Sequence, residues 1–189
     1  MVNTVRYLII HHTGGTEKNP LADTSHHTLE IIHEYHRSLG WGKVGYHYVI
    51  EKDGKLRQGR LDTEQGSHCN QQENGISMNL QSLGIAIAGN FDFSFPTQAQ
   101  EATLKKLLQE KLKQYNLSPS KILPHRHWAS KTCYGRKLSE DWARNLVIST
   151  PVQSEVQIQL NQCVVDKIIL EKKVLWYNSL LESIKSLIR

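Results

Sequence analysis

The stretch YLIIHHTGG, residues 7–15, decides the fold class. With Val5 and Arg6 in front of it, the run VRYLIIHH over residues 5–12 is apolar and rich in β-branched side chains, and it reads as a buried strand. The turn-rich TGGTEKNPLADT, residues 13–24, ends it. Consecutive strand residues point to opposite faces, so His11 and His12 cannot both face one site if the strand runs through them.

Outward from this strand, periods alternate. SHHTLEIIHEYHRSLG, residues 25–40, places Leu29, Ile32, His36 and Leu39 on one helical face and ends on Gly40, a natural stop. YHYVIE, residues 46–51, reads as a strand, Asp53-Gly54 as a hairpin turn, and LRQGRL as the returning strand. Residues 62–81 are polar and irregular, long enough for a functional loop. SLGIAIAGNF, residues 82–91, is another apolar strand. Thr97 and Gln100 stand in capping-box spacing before a helix whose apolar stripe is Leu104, Leu107, Leu108, Leu112 and Tyr115. KILPHRHW, residues 121–128, reads as a short strand entering a loop, and LSEDWARNLV, residues 138–147, as a short helix. Alternating strands and helices predict an α/β fold, a sheet with helices on its faces.

After Thr150-Pro151 the character changes, which divides the chain into a domain over 1–150 and a small unit over 151–189. EVQIQL (155–160) alternates like an edge strand, CVVDKIIL and KKVLWY are short apolar runs, and NSLLESIKSLIR reads as a helix. This strand–strand–helix appendage could bind a wall polymer, mediate self-association or pack on the first domain.

Composition narrows the function classes. No stretch of the 189 residues is long and apolar enough for a membrane span. Met1 to Arg6 lacks the basic head, apolar stretch and cleavage site of a signal peptide. Cys69, Cys133 and Cys163 are odd in number and far apart, against a disulfide framework; Cys163 reads as a small buried hydrophobe. The net charge of +5 favours an anionic partner, and both nucleic acid and bacterial cell wall qualify, but no dense Lys/Arg run of the nucleic-acid kind is present.

The chemistry concentrates in HRHWASKTC, residues 125–133, which carries His125, His127, Lys131 and Cys133. Zinc takes neutral imidazole and thiolate, and three protein ligands with one open position make the catalytic arrangement. A strand-end histidine, either His11 or His12, joined to this loop would complete such a set. In an extended segment His125 and His127 share a face, so either could be the ligand. His47 is expected on the other side of its strand from Tyr46. His68 lines a cleft or sits in a polar loop. His26, His27, His33 and His36 read as surface or packing residues of the first helix.

These residues carry a resemblance. IIHHTGG (9–15), GWGKVGYHYVIEKDG (40–54), GSH (66–68), SLGIAIAGNF (82–91) and HRHWASKTC (125–133), in this order, resemble the zinc-dependent N-acetylmuramoyl-L-alanine amidases of the type that includes phage T7 lysozyme and the peptidoglycan recognition proteins. The resemblance implies a central mixed β-sheet flanked by helices and a zinc ion held by His11, His125 and Cys133. It implies catalytic roles for Tyr46 and Lys131. It also implies hydrolysis of the amide between N-acetylmuramic acid and L-alanine in peptidoglycan, with peptidoglycan as the partner rather than nucleic acid or membrane. One position departs from the family pattern: the residue after the cysteine, usually proline, is Tyr134. Without a signal peptide, the expected setting is synthesis in the cytoplasm and release to the wall, as a phage or prophage endolysin rather than a secreted autolysin. Three rivals remain at this point: a non-catalytic peptidoglycan-binding module of the same fold, a regulator that binds another protein, and a metal nuclease, which a His/His/Cys set suits least.

Overall fold

Every position of strand β1 (Tyr7–His12) is buried, as its apolar run predicts. Around it, in chain order, stand α1 (Leu29–Ser38), β2 (Tyr48–Ile50), β3 (Leu56–Gln58), the short pair β4 (Gln72–Glu73) and β5 (Ile76–Ser77), β6 (Ser82–Ile87), α2 (Gln98–Gln114), β7 (Ile122–Pro124) and α3 (Trp142–Ile148). The computed structural model describes residues 2–15 and 19–148, and in the C-terminal segment residues 167, 170–175, 177 and 178. The chain divides into two units, Met1–Ile148 and Ser149–Arg189.

Among the described residues of the first unit, a five-stranded sheet runs in the order β3-β2-β6-β1-β7. β1 is parallel to both β6 and β7, β2 is parallel to β6, and β3 is antiparallel to β2, so the sheet is mixed. The antiparallel pair needs only the Asp53-Gly54 turn, where Gly54 takes φ +86°, while β6 and β7, parallel strands on either side of β1, are joined by a crossover through α2.

The two faces are packed differently. On one, Leu8, Ile10, Leu83, Ile85 and Ile87 meet Leu104, Leu107 and Leu108 of α2. Each fully buried aliphatic chain there contributes about 1.5–3 kcal/mol, and this face anchors the fold. On the other, Tyr7 and Ile9 meet Cys69 and Met78 from the 62–81 loop, and Val49 and Ala86 meet Ile32 of α1. Along β6 this second face presents only Ser82, Gly84 and Ala86, which leaves room above the strand.

Helix ends follow the local chemistry. Thr28 caps α1 through its hydroxyl to the Ile31 amide, so the helix begins at Leu29 and leaves His26 and His27 before it. Gly40, at φ +79°, follows the end of α1. Leu39, expected on the buried stripe, is exposed because it lies past the last helical residue. Thr97 and Gln100 form the capping box of α2 in full. Its buried residues are Gln100, Leu104, Leu107, Leu108 and Lys111, while Leu112 and Tyr115 pack only partly.

In the second unit, residues 170–175, 177 and 178 are helical. The run KKVLWY, expected as a strand, is therefore helix at its described residues. Leu170, Val174 and Tyr177 recur at helical spacing, a period that short apolar runs do not reveal by themselves. The strand expected over 155–160 and most of the expected final helix lie outside the described residues. No helix among the described residues is long and apolar enough to cross a membrane.

Candidate metal centre

The second face of the sheet carries the site. β1 ends on His11 and His12, and the two rings part as the strand dictates. His12 turns to the helix-packed face, where its Nδ1 accepts the Phe91 amide at 3.0 Å. His11 turns to the open face and is 1% exposed. β7 ends at Pro124 and the chain enters a 3-10 turn, His125–His127. That turn is why His125 and His127 diverge. His125 is buried toward His11, with ring centroids 4.5 Å apart. His127 is half exposed, with Nδ1 3.5 Å from Glu140, and the expectation that it could substitute for His125 fails on the 3-10 geometry.

Cys133 reaches the same point from the loop after the turn: its Sγ lies 3.7 Å from His11 Nδ1. The donor atoms of His11, His125 and Cys133 all fall within 4.8 Å of one another. Arg126, between the two histidines, holds this loop in place. Its guanidinium donates to the carbonyls of Gly135 at 2.7 Å and Leu138 at 2.8 Å and to Glu140 at 3.1 Å. From the other side Asp92 accepts from the Thr132 hydroxyl and the Arg136 amide, both at 2.9 Å. Tyr134, the departure from the family pattern, is fully buried in the core. Its ring stacks edge-on against Trp142, and its hydroxyl lies 2.9 Å from the carbonyls of Ser139 and Glu140. Tyrosine thus anchors the loop from the core side.

The electrostatics suit a cation. Burial, with the neighbouring histidines His125, His68 and His12 and Lys131 added, holds His11 well below the usual imidazole range. Burial and Lys131 lower His125 to about 4. Both rings are neutral at pH 7, with lone pairs available. Burial pushes the Cys133 thiol up to about 12, so by itself it stays protonated, and a divalent ion at the centre of the three would reverse that preference. Two neutral imidazoles and a sulfur gathered this closely fit a soft or borderline divalent metal, zinc among them.

An open cleft of about 470 Å³ faces these donors; Tyr46, His68 and Lys131 line it with them. Tyr46, just before β2, has its ring centroid 5.1 Å from that of His11, and burial together with Cys133 raises its phenol far above the ordinary value, so it keeps its proton. Lys131 is exposed on the rim. The five residues expected from sequence therefore share one cleft. His47 turns away, its Nδ1 accepting the Gly84 amide and its Nε2 donating to the Glu64 carbonyl, each at 3.0 Å. His36 is a packing residue, as its place on the apolar stripe allows, and its Nδ1 accepts the Gly45 amide at 2.9 Å.

His68 carries more than sequence reading assigned it. It is 8% exposed, and its Nδ1 lies 3.1 Å from His11 Nε2. Its ring lies across Gly84 of β6: a Cβ there would stand 2.4 Å from His68 Cγ. The GSH motif was visible, but the contact depends on a strand residue sixteen positions later. Arg126 and Asp92, which fix the loop through backbone and side-chain atoms together, had no pattern that could find them.

Comparison with known proteins identifies the family and the fold. Residues 1–137 match the family model described as N-acetylmuramoyl-L-alanine amidase. The chain is 31% identical over 140 residues to peptidoglycan-recognition protein SC2 of Drosophila melanogaster, covering 73% of this chain and 72% of that protein. It is 34% identical over 120 residues to the endolysin of Enterobacteria phage T3, covering 63% of this chain and 77% of that protein. Among solved structures, the N-acetylmuramoyl-L-alanine amidase LysC from Clostridium intestinale superposes with a TM-score of 0.59 at 26% identity, over 84% of this chain and 87% of that one. With three converging donors at the end of an open cleft, and a family match over most of its length, the chain belongs to the N-acetylmuramoyl-L-alanine amidase family.

Proposed function

We propose that the protein is a zinc-dependent N-acetylmuramoyl-L-alanine amidase that cleaves the amide between the lactyl group of N-acetylmuramic acid and the L-alanine of the stem peptide, acting as an endolysin on peptidoglycan. The observation that carries this reading is the convergence of His11, His125 and Cys133 within 4.8 Å beside an open cleft. The two relatives named endolysin and peptidoglycan-recognition protein support the substrate class.

In this reading His11, His125 and Cys133 hold the ion. When bound, zinc supplies a Lewis acid that polarises a carbonyl and makes water nucleophilic near neutral pH. The rest falls to the chain. As the amide carbon turns tetrahedral, its oxygen gains negative charge, and the Lys131 ammonium on the rim is placed to stabilise it. Tyr46 stays a phenol at working pH and therefore serves as a hydrogen-bond donor rather than a base, either to that oxygen or, through a water, to the departing amine. The walls of the cleft orient the muramyl and peptide arms on either side of the scissile bond.

The test is mass analysis of muropeptides after digestion, with metal content measured on the same sample. Free stem peptides with an exposed L-alanine amine, lost on chelation and restored by zinc, are expected. Full activity in a thoroughly demetallated sample would exclude the metal chemistry. Binding to sacculi without peptide release would instead favour the recognition-module reading, which the Drosophila relative keeps in view.

A further inference from the structure

The buried rings around the site form a hydrogen-bond chain whose direction can be read from its far end. Ser82 Oγ lies 2.5 Å from the Met78 carbonyl oxygen. A carbonyl only accepts, so the Ser82 proton points there. Ser82 Oγ then has only lone pairs to offer His68 Nε2, 3.5 Å away, and that nitrogen must carry the ring proton. A neutral imidazole has one proton, so His68 Nδ1 is an acceptor. The nitrogen facing it at 3.1 Å, His11 Nε2, is therefore the donor. His11 then has its lone pair on Nδ1, the atom that lies 3.7 Å from Cys133 Sγ.

We infer that His68 is a positioning residue: with Ser82 it fixes His11 as the Nε2–H tautomer and aims the Nδ1 lone pair at the point shared with His125 and Cys133. The inference rests on the metal reading above for its purpose, but the proton positions stand or fall independently of any ion. Free imidazole interconverts between two tautomers, and only one of them presents Nδ1 to a metal while donating from Nε2. A ligand ring held in the right tautomer by its outer partner binds more tightly, and loss of such a partner typically weakens metal affinity about 10–100-fold.

The surroundings are built for this one ring placement. Asn79 Oδ1 accepts the backbone amides of His68 at 2.8 Å and Cys69 at 2.9 Å, pinning the main chain beneath the ring. Gly84 removes the side chain that would occupy its plane. Asn3 Nδ2 donates to the carbonyls of Asp62 and Ser82, each at 3.0 Å, tying together the two ends of the loop that delivers His68. His12, His36 and His47 each accept a backbone amide on Nδ1. They are fixed as Nε2–H tautomers too, but their acceptor nitrogens are used up on backbone. His11 differs from these three: its Nδ1 is left for a ligand, because its orienting contact is to another side chain.

Side-chain ¹⁵N NMR of the metal-free full chain tests the polarity directly. Both His11 and His68 are expected to be protonated on Nε2 and bare on Nδ1, and a proton on His11 Nδ1 would overturn the inference. In Ser82→Ala, His68 loses its orienting group and His11 should show a mixture of tautomers; an unchanged spectrum would refute the role of Ser82. Zinc affinity, measured by chelator competition, should fall about 10–100-fold in His68→Leu and largely recover in His68→Asn, whose carbonyl can stand where Nδ1 stood. A folded His68→Leu protein with unaltered affinity would refute the positioning role. If His68→Leu fails to fold, the wild-type and Ser82→Ala spectra decide. A wild-type chain that binds no zinc, yet has both rings in the stated tautomers, would remove the metal reading and leave the relay intact.

Discussion

Replacing Gly84 by alanine inserts one methyl group into a crowded point of the site. The new Cβ would stand 2.4 Å from His68 Cγ, 2.5 Å from Cδ2 and 2.7 Å from Nδ1. Carbon atoms rest at about 3.5–4.0 Å, so the ring must retreat by about 1 Å. The His11–His68 contact, 3.1 Å in the wild type, does not survive a shift of that size. Overpacking costs about 1–3 kcal/mol and the lost hydrogen bond about 1 kcal/mol. The stiffer unfolded chain returns about 0.4–1 kcal/mol, since Gly84 sits in ordinary strand conformation. The net expectation is destabilisation by about 2 kcal/mol, read from urea denaturation. The decisive measurement is a cycle with His68→Ala. With the ring gone, the methyl enters vacant space and Gly84→Ala should become neutral or slightly stabilising, giving a coupling energy of about 2–3 kcal/mol. Equal cost in both backgrounds, within about 0.5 kcal/mol, would refute the claim that Gly84 is glycine to seat His68.

Asp62 accepts hydrogen bonds from Tyr48 at 2.6 Å, Tyr115 at 2.8 Å and Lys111 at 3.0 Å. Asp62→Ala should cost about 3 kcal/mol in denaturant unfolding, the low end for breaking a buried pair, because Lys111 keeps Gln114 as a partner. Burial raises the Asp62 pKa, but the three donors outweigh it and the net shift is downward. Its contribution is therefore complete above the unfolded value near pH 4 and lost as pH falls through the lower folded value, so the gap between wild type and Asp62→Asn should close in acid. Tyr46→Phe should lower amidase turnover by about 10²–10³ while leaving zinc affinity unchanged; unaltered turnover would remove Tyr46 from the chemistry. Zinc at about 1,000 times its dissociation constant should stabilise the wild type by about 4 kcal/mol in thermal unfolding, and Cys133→Ser should abolish most of that gain.

What the sequence made legible is what local pattern controls. The β1 run, the Thr97–Gln100 box and the Asp53-Gly54 turn are short-range statements, and each is realised in place. The split of His11 from His12 follows from the two-residue period of a strand. The alternative of His127 as ligand holds only for an extended segment, whereas Arg126 and the Trp128 amide, bonded to His125 O at 3.0 Å, close it into a turn. The helix over 170–175 was read as strand because an apolar run of that length carries no decisive period. The role of His68 was out of reach for a different reason: it depends on Gly84, Ser82 and Asn79, which meet only once β6 lies beside β1.

The choice of small residues along one face of β6 joins fold to site. Ser82, Gly84 and Ala86 alternate with Leu83, Ile85 and Ile87, so one face of the same strand supplies the core against α2 and the other supplies a floor. Because the aliphatic face already packs against α2, the opposite face can leave out large side chains without losing the anchorage of the sheet. The space is filled by imidazoles, and each of His11, His36, His47 and His68 has a hydrogen-bond partner in that layer. A buried polar layer of this kind is tolerable only when it is satisfied throughout, which explains why backbone amides at Gly45 and Gly84 are spent on histidine nitrogens. The arrangement yields a rigid cleft wall made of neutral rings, with one lone pair on His11 turned toward His125 and Cys133.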